Sequence, residues 1–287
     1  MQSIIRIILS FCLFAQTITG WSQHLNAYQI FTNKGKRTTF KKMVKKLGQE
    51  DIVLFGELHD NPIDHWLQLE LVKALLEHRN LILGAEMFET DNQAALNNFL
   101  QGKIDRLEHD PSIRLWPNYT TDYAPLVHFA RDHQLPFIAT NVPDRFAKLV
   151  YRSGLDTLET FSPEALSFMA PQPMPFDSEL KTYKAILELL EHHATPELVM
   201  AQALKDATMA HFILENYSSD HLFIHINGTY HSDQYEGILW YLQLWNQDLN
   251  YATIATVEQA QTHKLLPENI GLADFIICVD EEMTETH

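Results

Sequence analysis

Cysteine is nearly absent: Cys12 and Cys278 are the only two in 287 residues. A disulfide-stapled scaffold is excluded, as is the C-x-x-C-H attachment of covalent haem. Glycine is sparse, at 10 residues, and builds neither a Gly-rich phosphate loop nor a G-x-S-x-G nucleophile elbow. The H-E-x-x-H pair of zinc hydrolases is missing too. Lys and Arg number 21 against 37 Asp and Glu, a net charge of −16. So acidic a surface repels phosphate backbones, and no nucleic-acid partner is expected. Seven of the basic residues fall between Lys34 and Lys46, which suits a solvated helix face. No apolar run reaches the ~20 residues of a membrane span.

What is present is a globular balance, 46% hydrophobic and 20% charged, in a chain long enough to bury a core without staples. Residues 1–22 read as a secretory signal: Arg6 is the only charge, Ile7 to Ile18 is mostly apolar, and Gly20-Trp21-Ser22 offers small residues for cleavage. The expectation is an exported protein, periplasmic or outer-membrane-associated, with one domain over 23–287. Phe11 stands before Cys12 where lipidation needs a small residue, which argues against a lipid anchor. Cys278, inside the Phe275 to Val279 run, is expected to be a buried packing residue.

Short apolar runs recur at Asp51 to Gly56, Leu81 to Ala85, Pro136 to Thr140, Leu222 to Ile226 and Tyr251 to Thr256. Each is followed by a polar end and a helical pattern, which predicts an α/β fold with a mainly parallel sheet flanked by helices. Asn61-Pro62 supplies an N-cap and a first-turn proline for a helix over about 62–78. Residues 142–217 lack a strand pattern and read as a helical insertion covering the sheet, with helices near 177–193 and 196–217.

Ligands of open α/β sheets bind beyond the carboxyl ends of parallel strands. Here those ends carry Gly56-Glu57-Leu58-His59, Glu86, Asn141 and Gly228-Thr229-Tyr230-His231. Two Glu, two His and two Asn (Asn141, Asn227) at one rim exceed what solubility requires, and the acids and imidazoles are ligand or acid/base types. Glu57 and His59, two apart, project to one face of a continued strand. Glu86 closes an apolar strand and needs a cation or donors. Asp206 lies on a packing stripe with Gln202, Met209 and Ile213; it either reaches the rim or pairs with a nearby arginine such as Arg145. His225 is expected to hydrogen-bond within the sheet, and His192 and His193 to favour a helix dipole.

Phe55 to Pro62, Gly84 to Phe88, Ala139 to Pro143, Gln202 to Met209 and Asn227 to His231 together resemble the ChaN haem-binding uptake family of the Tiki/TraB/erythromycin-esterase-like superfamily, in order across about residues 45–245. The resemblance implies an α/β fold, export to the bacterial envelope, and non-covalent haem binding in iron acquisition. It also implies a superfamily site on His59, His231, Glu57 and Glu86.

Two functions stay open at this point. A haem carrier needs an apolar groove and an iron ligand, for which Tyr230, His231, Tyr119 and Tyr123 are candidates. Tyr119 and Tyr123 have an alternative reading as aromatic packing at the start of a helix over Thr121 to Asp132. Its partners would be haem, an outer-membrane haem receptor and a second copy of the chain. A hydrolase would use Glu57, His59, Glu86 and His231 as catalytic groups. It would work either without metal or around a divalent metal held among His59, His231, Glu57, Glu86 and Asp206.

Overall fold

The computed structural model describes residues 26–190 and 195–286, so the expected signal, 1–22, and the histidines at 192 and 193 lie outside the described residues. Strands β1 (Tyr28–Thr32), β2 (Ile52–Glu57), β3 (Asn80–Glu89), β4 (Phe137–Asn141), β5 (His221–Gly228), β6 (Tyr251–Gln259) and β7 (Phe275–Asp280) form one sheet in the order β1-β7-β6-β2-β5-β3-β4. All neighbours are parallel except β1 with β7. The chain is thus an α/β fold with a mostly parallel sheet.

The period of two in β2 splits the core. Val53 and Phe55 pack on one face with helices α1 (Phe40–Leu47), α2 (Pro62–Leu76), α3 (Gln93–Leu100) and α4 (Ala124–Asp132). Ile52 and Leu54 pack on the other with α5 (Asp144–Ser153), the short α6 (Pro163–Leu166), α7 (Lys181–Leu190), α8 (Pro196–Asn216) and α9 (Ile238–Trp245). The segment read as a helical insertion supplies α5 to α8 of the layer on this second face, and α9 completes it.

All five expected strands are present and α2 starts at Pro62, with Asn61 Oδ1 accepting from the Ile63 N–H at 3.0 Å. Two strands went unrecognised. β7 coincides with the Phe275 to Val279 run, in which Cys278 is fully buried as expected. β1 has polar or half-buried residues at three of its five positions, as an edge strand does. β3 runs past Glu86 to Glu89, with an irregular register against β4 between Ala85 and Glu89, so Glu86 projects from within a strand instead of from its mouth. The turn Tyr119–Tyr123 is π-helical, and α4 begins only at Ala124.

Candidate functional site

Parallel pairing of β2 with β5 sets Glu57 opposite Gly228, so the two G-x-x-H segments leave the sheet side by side. They interlock through their glycines. A Cβ on Gly56 would lie 2.9 Å from Thr229 Cα and 2.8 Å from the Ile254 carbonyl, and one on Gly228 would lie 2.6 Å from His59 Nε2. Asp64, in the first turn of α2, fixes the first loop by accepting from the Leu58 N–H at 2.8 Å and the Thr256 hydroxyl at 2.7 Å. Full burial pushes its pKa well up, against those two hydrogen bonds.

Glu57 is buried and acts as an acceptor for three donors. Its Oε1 accepts from the Tyr123 hydroxyl at 2.7 Å and meets His59 Nδ1 at 2.8 Å, and its Oε2 accepts from the Gln68 amide. The His59 ring lies edge-on to Trp116 at 4.8 Å, and its carbonyl accepts from Asn118 Nδ2 at 2.9 Å. Its side chain is 37% exposed. Burial lowers the His59 pKa, but the Glu57 hydrogen bond and the charges of Glu86 and Glu57 outweigh it, and the net direction is upward.

The second half is a buried imidazole between two carboxylates. His231 Nδ1 meets Asp206 Oδ1 at 2.5 Å, and Nε2 lies 3.3 Å from Glu86 Oε1. Glu86 Oε2 accepts from the Gly228 N–H at 2.8 Å, and Asp206 Oδ2 accepts from the Tyr183 hydroxyl at 2.8 Å. Burial opposes the charge on His231, yet Glu86 and Asp206 raise its pKa to about 10. Burial likewise opposes ionisation of Glu86, but His231, His59 and Lys205 hold its carboxyl far below the usual range. Burial raises the Asp206 pKa, against the His231 charge and the His231 and Tyr183 hydrogen bonds, so the buried carboxylates favour a protonated His231 at a desolvation cost of their own.

Of the candidate residues, Glu57, His59, Glu86, His231 and Asp206 converge on one rim. Asp206 bonds His231, and Arg145 instead joins Asp91 with Arg114. His225 is confined to the sheet, between Thr140 Oγ1 at 2.7 Å and Asn227 Oδ1 at 3.1 Å, and burial drops its pKa to about 4. Among the iron-ligand candidates, Tyr119 is buried with its hydroxyl unpartnered, Tyr123 is committed to Glu57, and both ring nitrogens of His231 are engaged. Tyr119 and Tyr123 are thus enclosed, and Tyr123 and His231 are held by hydrogen bonds within the site. Tyr230 is 52% exposed.

The metal expectation finds no support in the geometry. Among the described residues no group of three or more His, Cys, Asp or Glu is arranged to hold a metal ion. His59 Nδ1 and both ring nitrogens of His231 are aimed at carboxylates of the site instead of at a shared centre. Nothing in this arrangement supports a divalent ion.

Gln68, Tyr123, Asn118 and Tyr183 also belong to the site, through contacts that the sequence pattern does not predict. Gln68 carried a signal, a polar residue beside Leu67 and Leu71 on a buried helix face. Tyr183 carried none, since its partner is 23 residues away.

A family model described as haem-binding uptake, Tiki superfamily, ChaN matches residues 43–242. No curated protein matches the chain in sequence. Among solved structures, ChaN of Campylobacter jejuni, reported for cofacial haem binding, aligns with a TM-score of 0.65 at 18% identity over 87% of this chain and 96% of that one. A Bacillus cereus protein aligns at 0.52 and 11% identity, covering 88% and 94%. A mutant of the erythromycin esterase EreC in its open conformation aligns at 0.51 and 11%, covering 88% and 97%. These structures share the fold. The family model spans most of the sequence, including both interlocked loops, and the chain belongs to the ChaN family of haem-binding uptake proteins in the Tiki superfamily.

Proposed function

We propose that the protein is exported and carries haem for iron acquisition, holding it non-covalently at the strand-end rim with Tyr230 as iron ligand. The family supports haem. The observation that carries the ligand is the exposure of Tyr230, on a turn whose neighbours are fixed. His231 is clamped by Asp206 and Glu86, and Ser232 is held by Asn227 Nδ2 at 2.9 Å and by the Thr229 carbonyl at 3.1 Å. A rigid turn that presents one phenol outward is a suitable oxygen donor for ferric haem. When bound, haem would supply a redox-active iron, and the chain's part is to ligate and orient it. An outward ligand also suits presentation of haem to a second copy of the chain or to an outer-membrane receptor. The apolar, nearly uncharged N-terminal segment supports export.

A haemin titration followed by absorbance tests this. The Soret shift is expected to saturate, to survive His59→Ala, and to be lost in Tyr230→Phe. A wild-type chain without a shift overturns the reading.

One arrangement favours a second reading, metal-free ester hydrolysis. His59 Nδ1 is oriented by Glu57, and no hydrogen bond occupies Nε2 among the described residues, so the ring is set to accept and return a proton there. Ester hydrolysis that disappears in His59→Ala, in a chain without haemin affinity, would reverse the order of the two.

A further inference from the structure

Three segments far apart in the sequence meet at the His59 loop. The His59 carbonyl accepts from Asn118 Nδ2 at 2.9 Å, and the same amide donates to Asp122 Oδ2 at 2.7 Å, so one side chain ties the loop after β2 to the π-helical turn. The third segment is 281–286, which follows β7 and crosses to this network. The Thr286 N–H donates to the Asp60 carbonyl at 2.9 Å. Its hydroxyl has one proton to give, and the Asp122 carboxylate at 2.7 Å is a stronger acceptor than the Asp60 carbonyl at 3.2 Å.

Thr286 carries this crossing almost alone. Among the described residues no other hydrogen bond or ion pair holds 284–286, and Thr284 and Glu285 are exposed. Charge works against the contact. Glu258, on β6, has its pKa raised by burial and then by the charges of Asp60, Glu285 and Glu281, so the segment lies among like charges. What Thr286 holds matters to the site. Asp122 is buried, and its carboxylate depends on the Asn118 and Thr286 donors, with His65 Nε2 farther off at 3.5 Å. The next residue, Tyr123, donates to Glu57, and Trp116, two residues before Asn118, lies edge-on to the His59 ring. This stretch is therefore one wall of His59, and Thr286 fastens it.

We infer that residues 281–286 are a strap that sets how far the His59 half of the rim opens, with the Thr286 hydroxyl as its latch. When the latch is undone, Asp122 takes water in place of a donor, and the turn and the loop open as one unit that uncovers the His59 ring. Thr286 is a positioning residue, since it reaches the ring only through Asp122, Asn118 and the His59 carbonyl. The strap controls access to the rim and is independent of which guest the rim takes.

Thr286→Val removes the hydroxyl but keeps the shape and the backbone N–H, whereas Thr286→Ser keeps the hydroxyl. Hydrogen exchange of the full chain, read by mass spectrometry, is expected to quicken about tenfold at 58–61 and 118–123 in Thr286→Val, the worth of one hydrogen bond to a charged group. β2 and β5 should keep their wild-type exchange. Acylation of His59 by diethyl pyrocarbonate should quicken as well, and that of the exposed His78 should not. Thr286→Ser should match the wild type in both measurements. Faster exchange confined to 281–286, or spread evenly into β2 and β5, would overturn the inference. His59 acylation that stays at the wild-type rate in Thr286→Val would do the same, as would a Thr286→Ser that behaves like Thr286→Val. None of these measurements uses haemin, so the haem reading stands or falls separately.

Discussion

His59 Nε2 lies where a side chain on Gly228 would begin: a Cβ there would be 2.6 Å from that nitrogen and 3.0 Å from the adjoining Cε1. The second loop therefore has no side chain at this position because the first loop's imidazole occupies the space. Gly228→Ala is expected to displace His59 from Glu57 and to cost about 1–3 kcal/mol, the range of an overpacked core. Gly56→Ala should cost more, because its new Cβ meets the Ile254 carbonyl and Thr229 Cα, which are backbone atoms, instead of a ring that can turn. Urea denaturation of both variants checks the order. Equal costs would show that the loops are looser than the contact distances imply.

Two histidines set opposite limbs of the stability profile. The His231 pKa rises from its ordinary 6.5 to about 10, so its contribution is complete below about 6.5 and is lost as pH climbs through 10. The His225 pKa falls from 6.5 to about 4, so the unfolded chain takes up the proton first, and stability drops as pH falls from 6.5 toward 4. The melting temperature should therefore peak between the limbs. His225→Asn should flatten the acid limb and His231→Gln the alkaline one. Scanning calorimetry across pH 4–10 measures both. An alkaline limb unchanged in His231→Gln would remove the imidazolium from the account.

The central sheet was legible because β2 and β5 are apolar runs long enough to be buried on both faces, and parallel strands advertise themselves that way. β1 was not, since an edge strand of mixed polarity has no such run. The convergence of Glu57, His59, Glu86 and His231 could be expected because a parallel sheet brings every strand's carboxyl end to one edge. Their bonding could not. Whether Asp206 meets His231 or Arg145 depends on how α8 is rotated against β4, and spacing within α8 leaves that rotation undetermined. The same holds for Tyr123, whose hydroxyl turns inward to Glu57 because a π-helical turn, and not a regular helix start, carries it.

Breaking the buried imidazolium from its far side tests whether it supports the site. Asp206→Asn keeps shape and one acceptor but removes a charge that raises the His231 pKa. The expected loss is about 3–5 kcal/mol, typical of a buried pair that loses one partner, with the His231 titration moving down toward the ordinary range in an NMR-monitored pH series. Tyr183→Phe removes only a hydroxyl donor to Asp206 and should cost about 1–2 kcal/mol. A larger penalty for Tyr183→Phe than for Asp206→Asn would mean that packing around α7, and not the ion pair, dominates.

Tyr123→Phe separates support of the His59 dyad from ligation of iron. The Tyr123 hydroxyl donates to the same Glu57 oxygen that meets His59 Nδ1. Without it Glu57 loses one of three donors, its remaining negative charge is directed more fully at His59, and the His59 pKa should rise further. Stability should fall by about 1–2 kcal/mol, the cost of a buried acceptor left short of a donor. Haemin affinity should stay within about twofold of wild type, because this phenol is enclosed and Tyr230 is not. NMR titration of the His59 ring and a haemin titration on the same sample read the two effects independently. If Tyr123→Phe abolished the Soret shift while leaving the His59 titration in place, the buried tyrosine would be the iron ligand, and this region would have to open when haem binds.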